Sequence, residues 1–266
     1  MHETFSEGWR HRFGCDPPRD VPELAPLIRH RSVRKYSDKP IPEELAQCLV
    51  GVAQSAATSS NLQLWSVISV QDLETREKIA AVADNYEHIR SAPWFFAFVA
   101  DHHRLKTTAA EVGENAEGLD YEEFFIMATV DVALAAERFV CAAETLGMGI
   151  CYIGAMRNNA AEIKRLLGLP DQTFCVFGLC LGWPEEPLQA HIKPRLSQEA
   201  IWFRERYDSG QNIGEYNARM SAFYESEKMK GEVNWSMRSG RRVDNHHLTG
   251  REVLKSWLEE QGFNRR

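Results

Sequence analysis

The chain has 266 residues, 44% of them hydrophobic and 26% charged, enough for one large domain with a substantial core or at most two small ones. Thirty-one basic against thirty-eight acidic side chains leave a formal net charge of −7, a poor balance for coating nucleic acid or an anionic membrane. No apolar run follows the charged start Met1 to Glu7, and no run approaches the ~20 apolar residues of a membrane span. Six cysteines (Cys15, Cys48, Cys141, Cys151, Cys175, Cys180) are spread without a C-x-x-C pair, so a reduced cytoplasmic protein is expected, with neither a disulfide framework nor a metal site.

Residues 1–20 mix charge, glycine and Pro17-Pro18, and read as an arm with little structure of its own, ahead of one domain over 21–266. A helix is predicted from Pro42, with Glu43 and Glu44 suiting its N-terminal dipole, through Leu45, Leu49, Val52 and Ala53. A strand follows over Leu64 to Val70, then a helix from an Asp72 cap to Ala83, then a buried strand over Trp94 to Ala100. The strongest helix runs from Tyr121 to Leu146. Beyond its first turn its charges (Asp131, Glu137, Arg138, Glu144) fall in a narrow stripe, so most of its girth must be covered, by a thick core or by another subunit. A strand over Gly149 to Ala155, a capping box of Asn159 with Glu162, a helix to Leu167 and a strand over Phe174 to Leu181 come next. The remainder reads as mostly helical, with a second capping box at Thr249 and Glu252. The alternation indicates an α+β fold.

Four segments could carry chemistry. His30-Arg31-Ser32-Val33-Arg34-Lys35-Tyr36 concentrates cations and a hydroxyl, which could grip a phosphate through charge-assisted bonds or form a solvated basic loop. Thr58-Ser59-Ser60-Asn61-Leu62-Gln63 could meet a flat polar ligand or be a plain hydroxyl-rich turn. The glycines of Leu146 to Gly154 allow a close backbone approach or a sharp turn, but they do not spell a dinucleotide fingerprint. Lys193-Pro194-Arg195 could complete an anion site. The histidine pairs 102–103 and 246–247 lack metal-ligand spacing and read as surface residues. There is no G-x-S-x-G and no H-E-x-x-H.

In this order, HRSVRKY with DKPI at 30–41, SAATSSNLQ at 55–63, ETLGMGICYIGAMRNN at 144–159, FGLCLGWP at 177–184 and KPR at 193–195 resemble the FMN-dependent nitroreductase superfamily. The resemblance covers roughly residues 25–260 and is nearer to its oxygen-insensitive NADPH nitroreductase and flavin reductase branch. It implies a central mixed sheet flanked by helices, and an intertwined homodimer with FMN sites across the interface and the 121–146 helix at its core. By position, His30, Arg31, Ser32 and Arg34 would hold the FMN phosphate and ribityl chain, and Ser59, Ser60 and Gln63 would flank the flavin or its tail. Ile153, Gly154 and Ala155 would lie against the ring, with Lys193 and Arg195 as cationic contacts. Arg251 matches a position associated with the NADPH phosphate; Lys228, Lys230, Arg241 and Arg242 are further candidates. Two segments depart from the family pattern: Asp84-Asn85-Tyr86, and Glu225 to Gly231 in place of an Arg-rich loop.

The implied activity is ping-pong transfer of electrons from NADPH or NADH to nitroaromatic, quinone or flavin acceptors, with no side-chain nucleophile. Arg34 and Lys193 would act as electrostatic stabilisers. Reductive dehalogenation or enoate reduction on the same fold, or a flavin-binding sensor without turnover, are the rival readings.

Overall fold

A computed structural model describes residues 3–188, 190–229, 231, 233–263 and 266; Lys230 lies outside the described residues. In chain order the elements are α1 (Phe5–Phe13), α2 (Ala25–Ile28), α3 (Glu43–Gln54), β1 (Trp65–Ser69), α4 (Leu73–Val82), α5 (Glu87–Ser91), β2 (Trp94–Asp101) and α6 (His103–Glu111). Then come α7 (Glu122–Thr145), β3 (Gly149–Ile153), α8 (Ala160–Leu167), β4 (Thr173–Gly182), α9 (Gly214–Ser226), α10 (Trp235–Arg242) and α11 (Leu254–Glu260), with short 3-10 turns between. They fall into two compact units, one of residues 1–31 and 190–247, the other of 32–189 and 248–266.

The larger unit is built on a four-stranded sheet in the order β1-β2-β4-β3. Every pair in it is antiparallel, so the expected mixed sheet is reduced to one isolated parallel bridge between Ser32 and Ile150. Both faces are covered. Phe96, Phe98, Leu179 and Leu181 pack on one side with Leu49 of α3 and Val132, Ala136 and Phe139 of α7. Phe95, Ala97, Cys151 and Cys180 pack on the other with Ile79 of α4 and Ile163 of α8. Burial on both faces is why 94–100 and 174–181 read as continuous apolar runs rather than alternating ones.

The caps are largely where the sequence puts them. The Asp72 carboxylate accepts from Thr75 N at 2.7 Å, and Asn159 Oδ1 accepts from Glu162 N at 3.0 Å. The Thr249 capping box is not made. Thr249 has a φ of 54°, its hydroxyl donates to the Leu248 carbonyl at 2.7 Å, and Gly250 takes the cap position of the short turn at Arg251–Val253.

Residues 5–13 also depart from expectation. They form a helix where little structure is predicted, with a capping box between Thr4 and Glu7 and a left-handed Gly14 (φ 74°) closing it. Phe5, Trp9 and Phe13 recur every four residues and meet along one side as tilted rings, with centroids 5.7 and 4.6 Å apart. In the same unit, Tyr216, Met220 and Tyr224 of α9 form a small core with Leu196, Phe223 and Trp235.

Candidate functional site

In the smaller unit a buried arginine gathers the cationic segments. Arg12, only 5% exposed, donates to the Ile28 carbonyl at 3.1 Å, the Lys193 carbonyl at 2.8 Å and the His30 carbonyl, while Arg195 N donates to the Arg12 carbonyl at 2.8 Å. One guanidinium thus ties 28–30 to 193–195, segments far apart in the sequence. Arg31 joins this side by donating from Nη1 to the Ala190 carbonyl at 3.4 Å, and its Nη2 holds the Glu3 carboxylate. That ion pair shows the fork engaged with an oxyanion. Sequence reasoning missed Arg12 because α1 was not foreseen; only the i, i+4 aromatic spacing ahead of it carried a signal.

A cavity of about 440 Å³ lies in this unit. Lys193, Arg195, Arg238 and Arg242 line it, with Tyr216, Tyr224 and Trp235 as aromatic walls and no carboxylate among its described lining. Four cations without an acid, in a chain of net charge −7, make a local positive field suited to an anion. The aromatic walls suit a planar group attached to it.

In the larger unit, Ser32 and Val33 lie along the outer edge of β3, Val33 N donating to the Ile150 carbonyl at 2.8 Å. Gly149 serves this approach: a Cβ there would meet Val33 at 2.6 Å. Gly147, at φ +83°, turns the chain after α7. Arg34 is exposed, and its charge acts on His88 and Cys151. Burial first and Arg34 second push the His88 imidazole down to about 4. At the far end of β3, Ile153 and Ala155 turn their side chains into the core, so this stretch offers backbone, with Gly154 half-buried between them.

Ser59, Ser60 and Gln63 are exposed on the loop entering β1. Three residues of that loop are left-handed without being glycine: Ser60 (49°), Asn61 (55°) and Gln63 (52°). Asp131, expected on the charged stripe of its helix, is instead 2% exposed beneath this loop. It accepts from Thr58 Oγ1 at 2.5 Å, Leu64 N at 3.0 Å and Ser59 N at 3.3 Å.

The structure therefore assembles two groups of the larger unit's residues but does not join them. The 58–63 loop belongs to β1 and the 32 and 153–155 segments to β3, at opposite edges of the sheet. Three interstrand steps are about 14 Å. Along the strands, Trp65 is level with Ala100 and Phe174, whereas Ile153 is level with Gly178, a further ~13 Å. Within one chain the two groups therefore lie near diagonally opposite corners of the sheet, ~19 Å apart by these spacings.

Arg251 donates from Nε to Asn158 Oδ1 at 3.0 Å, where Gly250 presses on the Asn158 carbonyl so closely that a Cβ would lie 2.4 Å from it. The surface reading of His102 is overturned. It is fully buried, its Nε2 3.0 Å from the Phe124 carbonyl and its ring 4.7 Å from that of Phe263.

Residues 27–183 match the model of the nitroreductase family, and residues 193–266 match that of the nitroreductase family C-terminal domain. The chain belongs to the nitroreductase family. This nitroreductase is 33% identical over 246 residues to the FMN reductase (NADPH) of Bacillus subtilis, covering 90% of this chain and 97% of that one. It is 34% identical over 242 residues to the CR(VI) reductase of a Pseudomonas species, again over 90% and 97%. Among solved structures it resembles B. megaterium NfrA1, with a TM-score of 0.83 and 36% identity over 91% of this chain and 98% of the other. The nitroreductase fold expected from the motifs is thus the fold found.

Proposed function

We propose that this nitroreductase holds FMN and passes electrons from NADPH, or NADH, to nitroaromatic, quinone or flavin acceptors. The observation that carries the reading is the convergence on Arg12 of the His30 and Lys193–Arg195 segments, beside a cavity with cations, aromatic walls and no described carboxylate. Of the residues assigned to the flavin, Lys193 and Arg195 line that cavity, and its cations suit a phosphate. The names of the relatives, an NADPH-dependent FMN reductase among them, support the same chemistry.

Bound FMN supplies two-electron redox chemistry at its ring. The protein's own residues do the rest. His30, Arg31 and Ser32 grip the phosphate and ribityl chain, with Arg195 adding charge. The backbone of Ile153, Gly154 and Ala155 would lie against the ring. Arg34 and Lys193 would supply positive charge as electrostatic stabilisers. Ser59, Ser60 and Gln63 complete the site from a second copy of the chain, a reading supported by the placement of their loop at the opposite sheet edge. An exposed apolar row on α7, Ile126, Val130 and Leu134 at 44 to 50% exposure, supports a homodimer through this helix.

Six free cysteines support a reducing, cytoplasmic setting, and no helix among the described residues is long and apolar enough to cross a membrane. Donor and acceptor use one place in turn, so initial rates of NADPH oxidation against a quinone or nitrofurazone should give parallel double-reciprocal lines. Intersecting lines would reject the shared place, and no turnover with any of these acceptors would reject the enzyme reading in favour of a flavin-binding sensor.

A further inference from the structure

The buried Asp131 is a carboxylate in the middle of an otherwise apolar helix, and no step of the reaction proposed above uses it. A charge so placed is costly unless its oxygens are filled by donors. They are filled entirely from one loop: Thr58 Oγ1 and Leu64 N on Oδ2, Ser59 N on Oδ1. Thr58 relays the hold, because its hydroxyl oxygen also accepts from Gln63 N at 3.0 Å. From the other side, Arg104 Nη1 donates to the Gln63 carbonyl at 3.0 Å. The loop so fixed is strained, with Ser60, Asn61 and Gln63 all at φ between 49° and 55°.

A clamp serving stability alone has no need of such a backbone. What the strain achieves is visible in exposure: Ser59, Ser60, Asn61 and Gln63 are all exposed, while Leu64, which follows them, is buried. Strained, over-determined loops with outward polar groups are arrangements built for a ligand.

We propose that Asp131 is a positioning residue for the flavin, acting through Thr58 to hold Ser59, Ser60 and Gln63 in the conformation that meets it. This rests on the flavin reading above. Because α7 also carries the exposed row assigned to the second copy, the same helix that joins two chains fixes the loop each offers to the other's site.

The chemistry allows a graded test. Asn at 131 keeps an acceptor for Thr58 and Leu64 but turns an amide donor toward the Ser59 N–H, which displaces Ser59 alone. Thr58→Val removes the relay with no change in shape, and Thr58→Ser restores the hydroxyl. The variants are compared as full-length protein by quenching of FMN fluorescence on titration, visible circular dichroism of the bound flavin, and thermal unfolding of the flavin-free form. Thr58→Val and Asp131→Asn should each weaken FMN binding on the order of tenfold and alter the visible dichroism. Thr58→Ser, which keeps the hydroxyl, should stay within about twofold of wild type. Thr58→Val and Asp131→Asn proteins with wild-type FMN affinity and dichroism would overturn the proposal while leaving the flavin reading intact. Wild-type protein that takes up no FMN would overturn the flavin reading and this inference with it.

Discussion

Arg12 Nη1 donates to the Lys193 carbonyl at 2.8 Å, joining the eighth residue of the first helix to the segment that follows β4. The same guanidinium reaches Ile28 and His30, so a single buried side chain sets the backbone of two cationic stretches. Arg12→Met should leave three carbonyls without their donor and cost on the order of 3 kcal/mol of stability. FMN affinity should fall as well, although Arg12 itself touches only protein. Thermal unfolding with and without FMN checks both, and a variant with unchanged melting and unchanged affinity would remove Arg12 from the site's framework.

The row Ile126, Val130 and Leu134 on α7 makes a second expectation concrete. A stable dimer through this helix should bury more than about 2,000 Å² in total. Val130→Glu places a charge in the middle of the row and should yield monomers by sedimentation velocity at micromolar concentration. Those monomers should have lost most of their FMN, because the 58–63 loop assigned to the partner's site would be missing from it. A monomeric variant with wild-type FMN affinity would contradict the shared site.

His88 gives a pH dependence whose sign follows from its surroundings. Its ring stacks on Tyr86 at 5.1 Å and its Nε2 lies 3.8 Å from Cys151 Sγ, with Arg34 as the charge acting on it. Folding lowers its pKa from 6.5 to about 4, so between these values the unfolded chain binds a proton the folded chain refuses. Stability from this group is complete above pH 6.5 and is lost as pH falls toward 4, by roughly 3 kcal/mol in all. His102, lowered by burial as well, acts in the same direction. The melting temperature of His88→Asn should therefore vary less between pH 6.5 and 4.5 than that of wild type; identical slopes would show that His88 does not titrate in this way.

The sequence was most legible where periodicity and caps act locally. Asp72 and Asn159 cap the helices they were assigned, and the apolar circumference of 121–146 does need covering on several sides. It was least legible where a side chain works over long sequence distance. Nothing near Asp131 in the chain reveals that its partners lie at 58–64, and a charge at helical spacing from other charges reads as part of a solvated stripe. Arg12 was hidden for a different reason: Pro17-Pro18 and a run of charges suggested an arm, and the aromatic spacing of Phe5, Trp9 and Phe13 was overlooked. His102 looked exposed beside His103, yet it caps a buried carbonyl at the start of α7. Thr249 had the spacing of a capping residue but a backbone conformation that cannot use it. The site residues proposed by resemblance fall into separate clusters whose members are local in space, which no one-dimensional motif could indicate.

Arg251 tests how the nicotinamide is chosen. By resemblance it meets the phosphate that distinguishes NADPH from NADH, yet its Nε holds Asn158 Oδ1 at 3.0 Å. If the phosphate reading is right, Arg251→Ala should lower kcat/KM for NADPH on the order of tenfold, barely change it for NADH, and reduce the salt sensitivity of the preference. An equal loss with both donors would assign Arg251 to holding Asn158 instead.

The account depends first on the flavin, and the visible spectrum of the purified protein measures that directly. After incubation with FMN and removal of the excess, the protein should be yellow, release about one FMN per chain on heat denaturation, and bleach when NADPH is added without oxygen. A folded, dimeric protein that stays colourless after this treatment would contradict the account at its centre.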